Sequence, residues 1–478
     1  MALTAQEAAK KVDALYAKLS SRRPAIDKRE RYFDGEQPLC YASDEWKKHH
    51  GQRFRDFADN WCGVVGAAAP ELTEVAGIRL GDDTDAMSAD EKVLWRDWDV
   101  NDGQAQSAQG FLSGAVTDRS FALVWGSAGD EPVLTWEHSS QFISDGRYQL
   151  KAWVEDDREL ATLYAADEVW KFDRPRSSMV TNGQTPSGLY VPTSFGDGGW
   201  SPREVRDEPN PMRNPLGLLP GVEFPNRPRL GKGPISDIDG TIAMQDAANL
   251  MWAYLFGAAD YASMPARVVM GQEPPKMPVL DENGVKIGEK ALDIEQLTKG
   301  RMLWLTGQAT KIGQWDAAKL DVFTGVIDVM VKHIAAQTKT PINYMGALSN
   351  VNGETLDGLR TPLHMKVRDG HKHLTAPERQ VFRLMALVRG NSAVAEACRT
   401  AQILWKNPET ATDAQTSDAA LKDSQIGWSQ AGILERRYGM SQPEIDRELN
   451  RRRDEADDPL VNRILRDVSG EADAGLSA

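Results

Sequence analysis

Residues 236–262, SDIDGTIAMQDAANLMWAYLFGAADYA, and residues 316–340, DAAKLDVFTGVIDVMVKHIAAQTKT, decide how this chain is read. In the first, Ile242, Leu250, Met251, Tyr254, Leu255 and Ala258 recur at the spacings of one helix face. Pro265 stops that pattern. In the second, Val322, Phe323, Val326, Ile327, Met330, Val331 and Ile334 repeat the same period. Thr340-Pro341 ends it, because the residue before a proline is pushed out of the helical region. Between the helices, Val268-Val269-Met270 reads as a strand. Pro278 to Lys286 reads as an apolar run broken by the turn chemistry of Asp281-Glu282-Asn283-Gly284. A Gly/Asn-rich loop follows the second helix. A β-module carried on two long helices is an arm, not a pocket, and it suggests a part of an assembly.

The rest of the chain divides by texture. Thr4 and Glu7 have capping-box spacing before a helical stripe on Val12, Leu15, Tyr16 and Leu19. That pattern lacks the uninterrupted apolar core of a secretory leader. Ser88 and Glu91 repeat the spacing before Val93, Leu94, Trp95 and Trp98. From Phe121 the pattern turns to short β runs at 121–125, 133–136, 149–154, 160–164 and 169–172, read as an antiparallel meander. Thr181 to Arg229 is rich in Gly, Pro and Asn, with one strand expected near Leu189 to Val191. Helical texture returns after Arg360. Thr375 and Glu378 mark a further helix start, and Ser441, Pro443 and Glu444 open the last helix before an acidic tail.

At 478 residues the chain exceeds one ordinary core, so several domains are expected. A hydrophobic content of 41% and a charged content of 26% are globular values. A net charge of −14 argues against a sequence-reading nucleic-acid binder, which carries a basic footprint. Cys40, Cys62 and Cys398 are widely spaced and form no CxxC, which points to a reducing compartment without a disulfide framework or zinc site. The longest membrane-like run, Ala247 to Ala259, is too short to span and contains Asn249.

The chain has no GxxxxGK[ST] loop, no GxSxG elbow and no HExxH. Gly196-Asp197-Gly198-Gly199 lacks the following Lys-Ser/Thr and reads as a plain loop. Asp281-x-Asn283-Gly284 puts its glycine out of register for a calcium loop and reads as a hairpin turn. His364 and His371 share a helix face, while His373 points about 160° away from His371, so a solvated face is favoured over a metal site. Arg451-Arg452-Arg453 runs straight into carboxylates and reads as a charged helix end.

The ordered set of motifs resembles the portal (head–tail connector) family of tailed double-stranded-DNA bacteriophages, in its long-tailed actinobacteriophage form. Tyr32-Phe-Asp-Gly-Glu-Gln-Pro-Leu39, Asn60-Trp-Cys-Gly-Val-Val65 and Gly77-Ile-Arg79 resemble that family's opening segment. Trp136-Glu-His-Ser-Ser-Gln141 and Tyr164 to Trp170 are similar to its β-rich part. Asn214-Pro-Leu-Gly217 and Phe224-Pro-Asn-Arg-Pro-Arg229 resemble the approach to its first stem helix. Thr338-Lys-Thr-Pro-Ile-Asn-Tyr344 resembles the close of the second. Trp405-Lys-Asn-Pro408, Gly427 to Tyr438 and Met440-Ser-Gln-Pro-Glu-Ile445 complete the set.

The resemblance implies an α+β portal fold with an α/β wing, a two-helix stem, a small α/β clip, a tunnel loop and a C-terminal helical crown, closed into a ring of twelve. The parts fall on 1–235 (wing), 236–262 (first stem helix), 263–315 (clip), 316–340 (second stem helix), 341–358 (tunnel loop), 359–390 (wing-spanning helix) and 391–478 (crown and acidic tail). It implies a structural protein of the virion, placed at one capsid vertex and assembled in the host cytoplasm, with no catalytic residue, cofactor or metal. The implied partners are further copies of the chain, double-stranded DNA held transiently without sequence preference, the terminase large subunit, a head–tail adaptor, the major capsid protein and, where one is used, a scaffold. No membrane is involved. Another virion structural protein, such as a minor head component, and an enzyme of unrecognised type are the alternatives.

A stem helix of some 25 residues spans about 37 Å, enough to frame a channel. A channel lined by carboxylates would hold DNA weakly, because little counterion release then favours binding. The channel-lining candidates are Asp237, Asp239, Asp246 and Asp260 on the first helix, and Asp321 and Asp328 on the second. Lys332 and Lys339 near the loop are candidates for non-specific phosphate contact, against the ordinary preference of helix C-termini for cations. The DNA-facing loop residues are Met345, Gly346, Ser349, Asn350, Asn352 and Gly353. In the clip, Leu280, Asp281, Asn283, Val285, Arg301 and Trp304 are the docking candidates.

Overall fold

The first helix begins where Thr4 Oγ1 accepts from the Glu7 amide and the Glu7 carboxylate accepts from the Thr4 amide at 2.9 Å. This reciprocal bond satisfies two of the donors left open at a helix start, and it holds the Glu7 carboxyl below its ordinary range. The structure is a computed structural model. It describes residues 3–37, 57–81, 87–176, 199–206, 208–263, 267–270, 276–280, 286–291, 302–305, 311–314, 319–346, 353–409 and 413–457. The strand expected near 189–191, the glycine run at 196–198, Cys40 and the tail beyond 457 lie outside the described residues.

The chain forms two compact units, one of residues 1–35, 62–240 and 338–478, the other of 36–61 and 241–337. In chain order the first unit opens with α1 (Ala5–Phe33), α2 (Trp61–Ala68), β1 (Val75–Arg79), α3 (Ala89–Val100) and α4 (Gly103–Thr117). Next come β2 (Arg119–Trp125), β3 (Val133–Glu137), β4 (Phe142–Ser144), β5 (Gln149–Glu155), β6 (Arg158–Tyr164) and β7 (Glu168–Pro175). Three short strands follow, β8 (Ser201–Pro202), β9 (Met212–Arg213) and β10 (Gly221–Pro225). The second unit carries α5 (Ile242–Ser263), β11 (Arg267–Met270), β12 (Lys276–Leu280), β13 (Lys286–Ala291), β14 (Met302–Leu305), β15 (Lys311–Gln314) and most of α6 (Asp321–Thr338). The chain then returns to the first unit with α7 (Gly353–Val388), α8 (Ser392–Ala397), β16 (Gln402–Trp405), α9 (Asp413–Ile426), α10 (Gln430–Tyr438) and α11 (Gln442–Asp457). The fold is α+β.

In the first unit, α1 lies on an antiparallel sheet ordered β4-β5-β6-β7-β8, with β9 also paired to β7. The register places Leu150 opposite Leu163 and Leu163 opposite Trp170, with Ala152, Ala161 and Phe172 one pleat repeat further on. Those six side chains form one core with Ala8, Ala9, Val12, Leu15 and Leu19 of α1. Period two on the strands thus meets period 3.6 on the helix.

The expected single meander is two sheets. β2 and β3 pair instead with β10, in the order β10-β2-β3. That strand sits in the Gly/Pro/Asn-rich stretch read as irregular, and Gly221↔Leu123 to Pro225↔Arg119 is a pairing over about a hundred residues that no local pattern announces. Phe121 and Phe142, with ring centroids 4.9 Å apart, pack the two sheets together.

A second core gathers α3, α7 and β16 around Trp98 and Phe382, with ring centroids 5.4 Å apart. Gly103 and Gly110 of α4 are needed there, since a Cβ would overlap the indoles of Trp98 and Trp136. β1 pairs antiparallel with β16, Ile78 opposite Ile403, so the C-terminal region closes on the N-terminal third. Thr375 does not start a helix. α7 runs unbroken through Pro362 and Pro377, and Thr375 Oγ1 donates to the His371 carbonyl at 2.6 Å one turn back.

In the second unit, β11 pairs parallel with β14 and antiparallel with β15, while β12 and β13 form a hairpin. Buried Gln245 and Asn249 of α5 grip the segment before α2. Asn249 Oδ1 accepts from the Asp59 amide at 3.0 Å, and Gln245 Oε1 accepts from the Trp61 amide at 2.7 Å. Trp252 Nε1 donates to Asp59 Oδ2 at 2.8 Å. The polar residue that interrupts the longest apolar run therefore serves a backbone dock. Among the described residues no helix is long and apolar enough to cross a membrane.

Candidate functional site

The two helices expected at 236–262 and 316–340 are α5 and α6, and the DNA-facing candidates follow α6 in the sequence. α6 ends at Thr338. Lys339 follows in the left-handed region with φ of 57°, and Pro341 caps a 3-10 turn over Ile342–Tyr344. Met345 is buried and Gly346 exposed. Ser349, Asn350 and Asn352 lie outside the described residues, and Gly353 is the first residue of α7, not part of the loop.

Asp321 and Asp328 are exposed and lie seven residues apart, so they share a face of α6. Lys332 and Lys339 are also exposed at that spacing. Val322, Val326 and Val329 form an exposed apolar stripe beside them, while Ile327, Val331 and Ile334 are buried.

The acidic candidates assigned to the first helix divide differently. α5 starts at Ile242, so Asp237 and Asp239 precede it. Their segment is not helical because its polar groups are spent on tertiary partners. The Asp237 amide donates to the Ala115 carbonyl at 2.8 Å, and the Ile238 amide donates to Ser236 Oγ at 3.2 Å. The Asp237 side chain, only 2% exposed, accepts from Asn226 Nδ2 at 2.9 Å and pairs with Arg227 Nε at 2.8 Å and Lys366 Nζ at 2.7 Å. A carboxylate so enclosed does not line an open channel. Asp239 is held by the Arg29 guanidinium through two bonds of 2.8 Å, and Arg29 also binds Asp118 and the Thr117 carbonyl at 2.8 Å. Asp246 is buried, and the Asp260 side chain is outside the described residues. Asp321 and Asp328 are thus the exposed members of the acidic set that make no ion pair among the described residues.

Among the docking candidates, Leu280 closes β12 opposite Lys286, and Trp304 in β14 stands beside Val269. Asp281, Asn283, Val285 and Arg301 lie outside the described residues.

His364 and His371 are packing groups. His371 stacks on Trp405, with ring centroids 4.6 Å apart and planes 9° apart, and burial pushes it down to about 4. His364 is buried on the same helix, and His373 lies 4.0 Å from Asp369. Among the described residues no cluster of His, Cys, Asp and Glu has the geometry to hold a metal. Cys62 and Cys398 are buried, and burial pushes the Cys398 thiol up to about 12, far from a reactive thiolate. The cavity beside Asp237 and Lys366, lined also by Phe111, Phe224 and Leu374, holds about 50 Å³, room for a water or two.

An acidic helix face with a basic end, attached to a small strand module, is a surface rather than a catalytic pocket. The sequence matches the family described as phage portal protein, SPP1 Gp6-like, over residues 13–458. The chain belongs to the phage portal protein family. It is 26% identical over 403 residues to the portal protein of Mycobacterium phage L5, covering 80% of this chain and 76% of that one. The portal protein of Mycobacterium phage D29 is 26% identical over 416 residues, with the same coverage. A chain from the virion of a native gene transfer agent particle aligns over 87% of this portal chain and 93% of its own length, at 11% identity and a TM-score of 0.40. The portal family is one of structural virion proteins. Sequence reasoning missed Lys366, Arg227 and Arg29 in this portal chain, because each meets its carboxylate only through the tertiary fold.

Proposed function

We propose that this chain assembles as a dodecameric ring at one capsid vertex and forms the channel through which double-stranded DNA is packaged and ejected. The match to the portal family over nearly the whole chain carries this reading. The second unit supports it: two helices bracket a small strand module, as an arm of a ring subunit requires. On this reading residues 1–235 are the wing, α5 and α6 the stem, 263–315 the clip, 341–352 the tunnel loop, 353–390, with α7, the wing-spanning helix, and 391–478 the crown with its tail. Asp321 and Asp328 face the channel and keep DNA sliding, while Lys332 and Lys339 touch phosphate without sequence preference. The loop from Met345 to Asn352 contacts the moving duplex. The clip, through Leu280 to Val285 and Arg301 to Trp304, docks first the terminase large subunit and later the head–tail adaptor. The major capsid protein, with a scaffold where one is used, meets the outer face during assembly in the host cytoplasm.

Electron microscopy with mass determination on the purified chain tests the assembly. Rings of about twelve subunits around a hole that admits a duplex about 20 Å wide are expected. A stable monomer at high concentration, in the presence of capsid protein as well as alone, would overturn it and favour another virion component. Deleting residues 349–352 is expected to leave rings intact and to lower DNA-filled particles, and wild-type titres would remove the loop from the channel.

A further inference from the structure

We infer that Lys366 is a positioning residue that ties together the two places where the chain leaves and re-enters the first unit around α5 and α6. The chain leaves after Gly240 and returns at Thr338. Lys366, on α7, places its ammonium 2.7 Å from Asp237 Oδ2, just before the departure, and donates to the Thr338 carbonyl at 3.4 Å, at the return. The two anchored points are separated by about a hundred residues of sequence and share one cation. All three residues belong to the first unit.

The chemistry favours a coupled latch over two independent contacts. The Lys366 side chain is 8% exposed and that of Asp237 2%, so the buried ammonium depends on this carboxylate for compensation, while the carboxylate is shared with Arg227. Thr338 closes α6, and its carbonyl belongs to the negative end of that helix, where a cation is favoured. Among the described residues no hydrogen bond joins Asp237 to Thr338 directly. If Asp237 loses its charge, the ammonium is left buried without a carboxylate and withdraws toward water, which releases Thr338. If the end of α6 shifts, the ammonium follows and the grip on Asp237 loosens. Arg227 and Asn226 hold the other Asp237 oxygen, and Arg29 holds Asp239 from the far side, so the departure segment keeps a fixed path while the latch is made.

Hydrogen exchange by mass spectrometry on the full-length protein tests it. In Lys366→Met, exchange in peptides covering 236–241 and 334–340 is expected to rise by roughly tenfold or more at both, with β5 to β7 unchanged. Lys366→Arg, which keeps the cation, is expected to bring both back to within about threefold of wild type. The decisive variant is Asp237→Asn, nearly identical in shape. It is expected to accelerate exchange at 334–340, to which no hydrogen bond runs from Asp237 among the described residues. Acceleration at 236–241 alone would overturn the proposal, as would an increase spread evenly over β5 to β7, which marks loss of general packing.

Discussion

Asp237 and Asp328 both belong to the neighbourhood of long helices in sequence, the first just before α5 and the second on α6. Asp237 is nearly sealed and meets Arg227, Asn226 and Lys366. Asp328 is exposed and shares its face with Asp321. The same side chain is structural in one place and electrostatic in the other. Where water is excluded, a carboxylate survives only with partners, and its removal strands a buried cation. Where water is present, the charge costs little and is free to shape the field around the helix. Glu378 is a third case. It is fully buried on α7, neither oxygen is hydrogen-bonded among the described residues, and burial pushes it up to about 8, so it is a neutral acid in the fold.

Substitutions that break or sharpen this contrast differ in size. Asp237→Ala is expected to cost about 3–5 kcal/mol in urea unfolding, because Lys366 and Arg227 lose their shared partner. A loss below about 1 kcal/mol would place Asp237 with the surface carboxylates. Glu378→Gln sharpens the comparison through pH. In the unfolded chain Glu378 ionises near 4.5, while in the fold it stays protonated to about 8. The native state therefore binds the extra proton, and wild-type stability falls as pH rises through that window. The Gln variant should show a flatter profile, gaining on wild type at pH 8 relative to pH 5. Parallel profiles would mean that Glu378 has a partner.

Lys339→Gly is expected to stabilise by up to about 1 kcal/mol, since φ of 57° suits glycine and strains a lysine. The smallest effect on stability, within about 0.5 kcal/mol, is expected for Asp321→Lys combined with Asp328→Lys. Duplex-DNA anisotropy should nonetheless show tighter, more salt-dependent binding, the log–log slope steepening by roughly 0.9 per phosphate newly neutralised. Unchanged DNA binding would take this face of α6 out of the channel.

The helices were legible where a cap or a period is written locally. The capping boxes at Thr4–Glu7 and Ser88–Glu91 start helices at the expected residues, because both partners lie within one turn. The same spacing at Thr375–Glu378 misleads. There a hydroxyl bonds backward within α7, and the packing of Val381, Phe382 and Met385 carries the helix through Pro377. The start of α5 lies six residues later than the pattern suggests: residues 236–241, Ser-Asp-Ile-Asp-Gly-Thr, are weak helix formers and are drawn into bonds with Ala115, Arg227 and Lys366. The strand β10 was invisible because its partner is far away in sequence.

By itself, then, the sequence determined the amphipathic helices, the strand runs, the absence of known catalytic motifs and the family, since each is set by neighbours along the chain or by ordered motifs. Only the tertiary structure decided that the β runs split into two sheets, that β1 closes on β16, and which carboxylates stay in water. Those outcomes depend on desolvation and on long-range pairing, and neither is a property of any local stretch of residues.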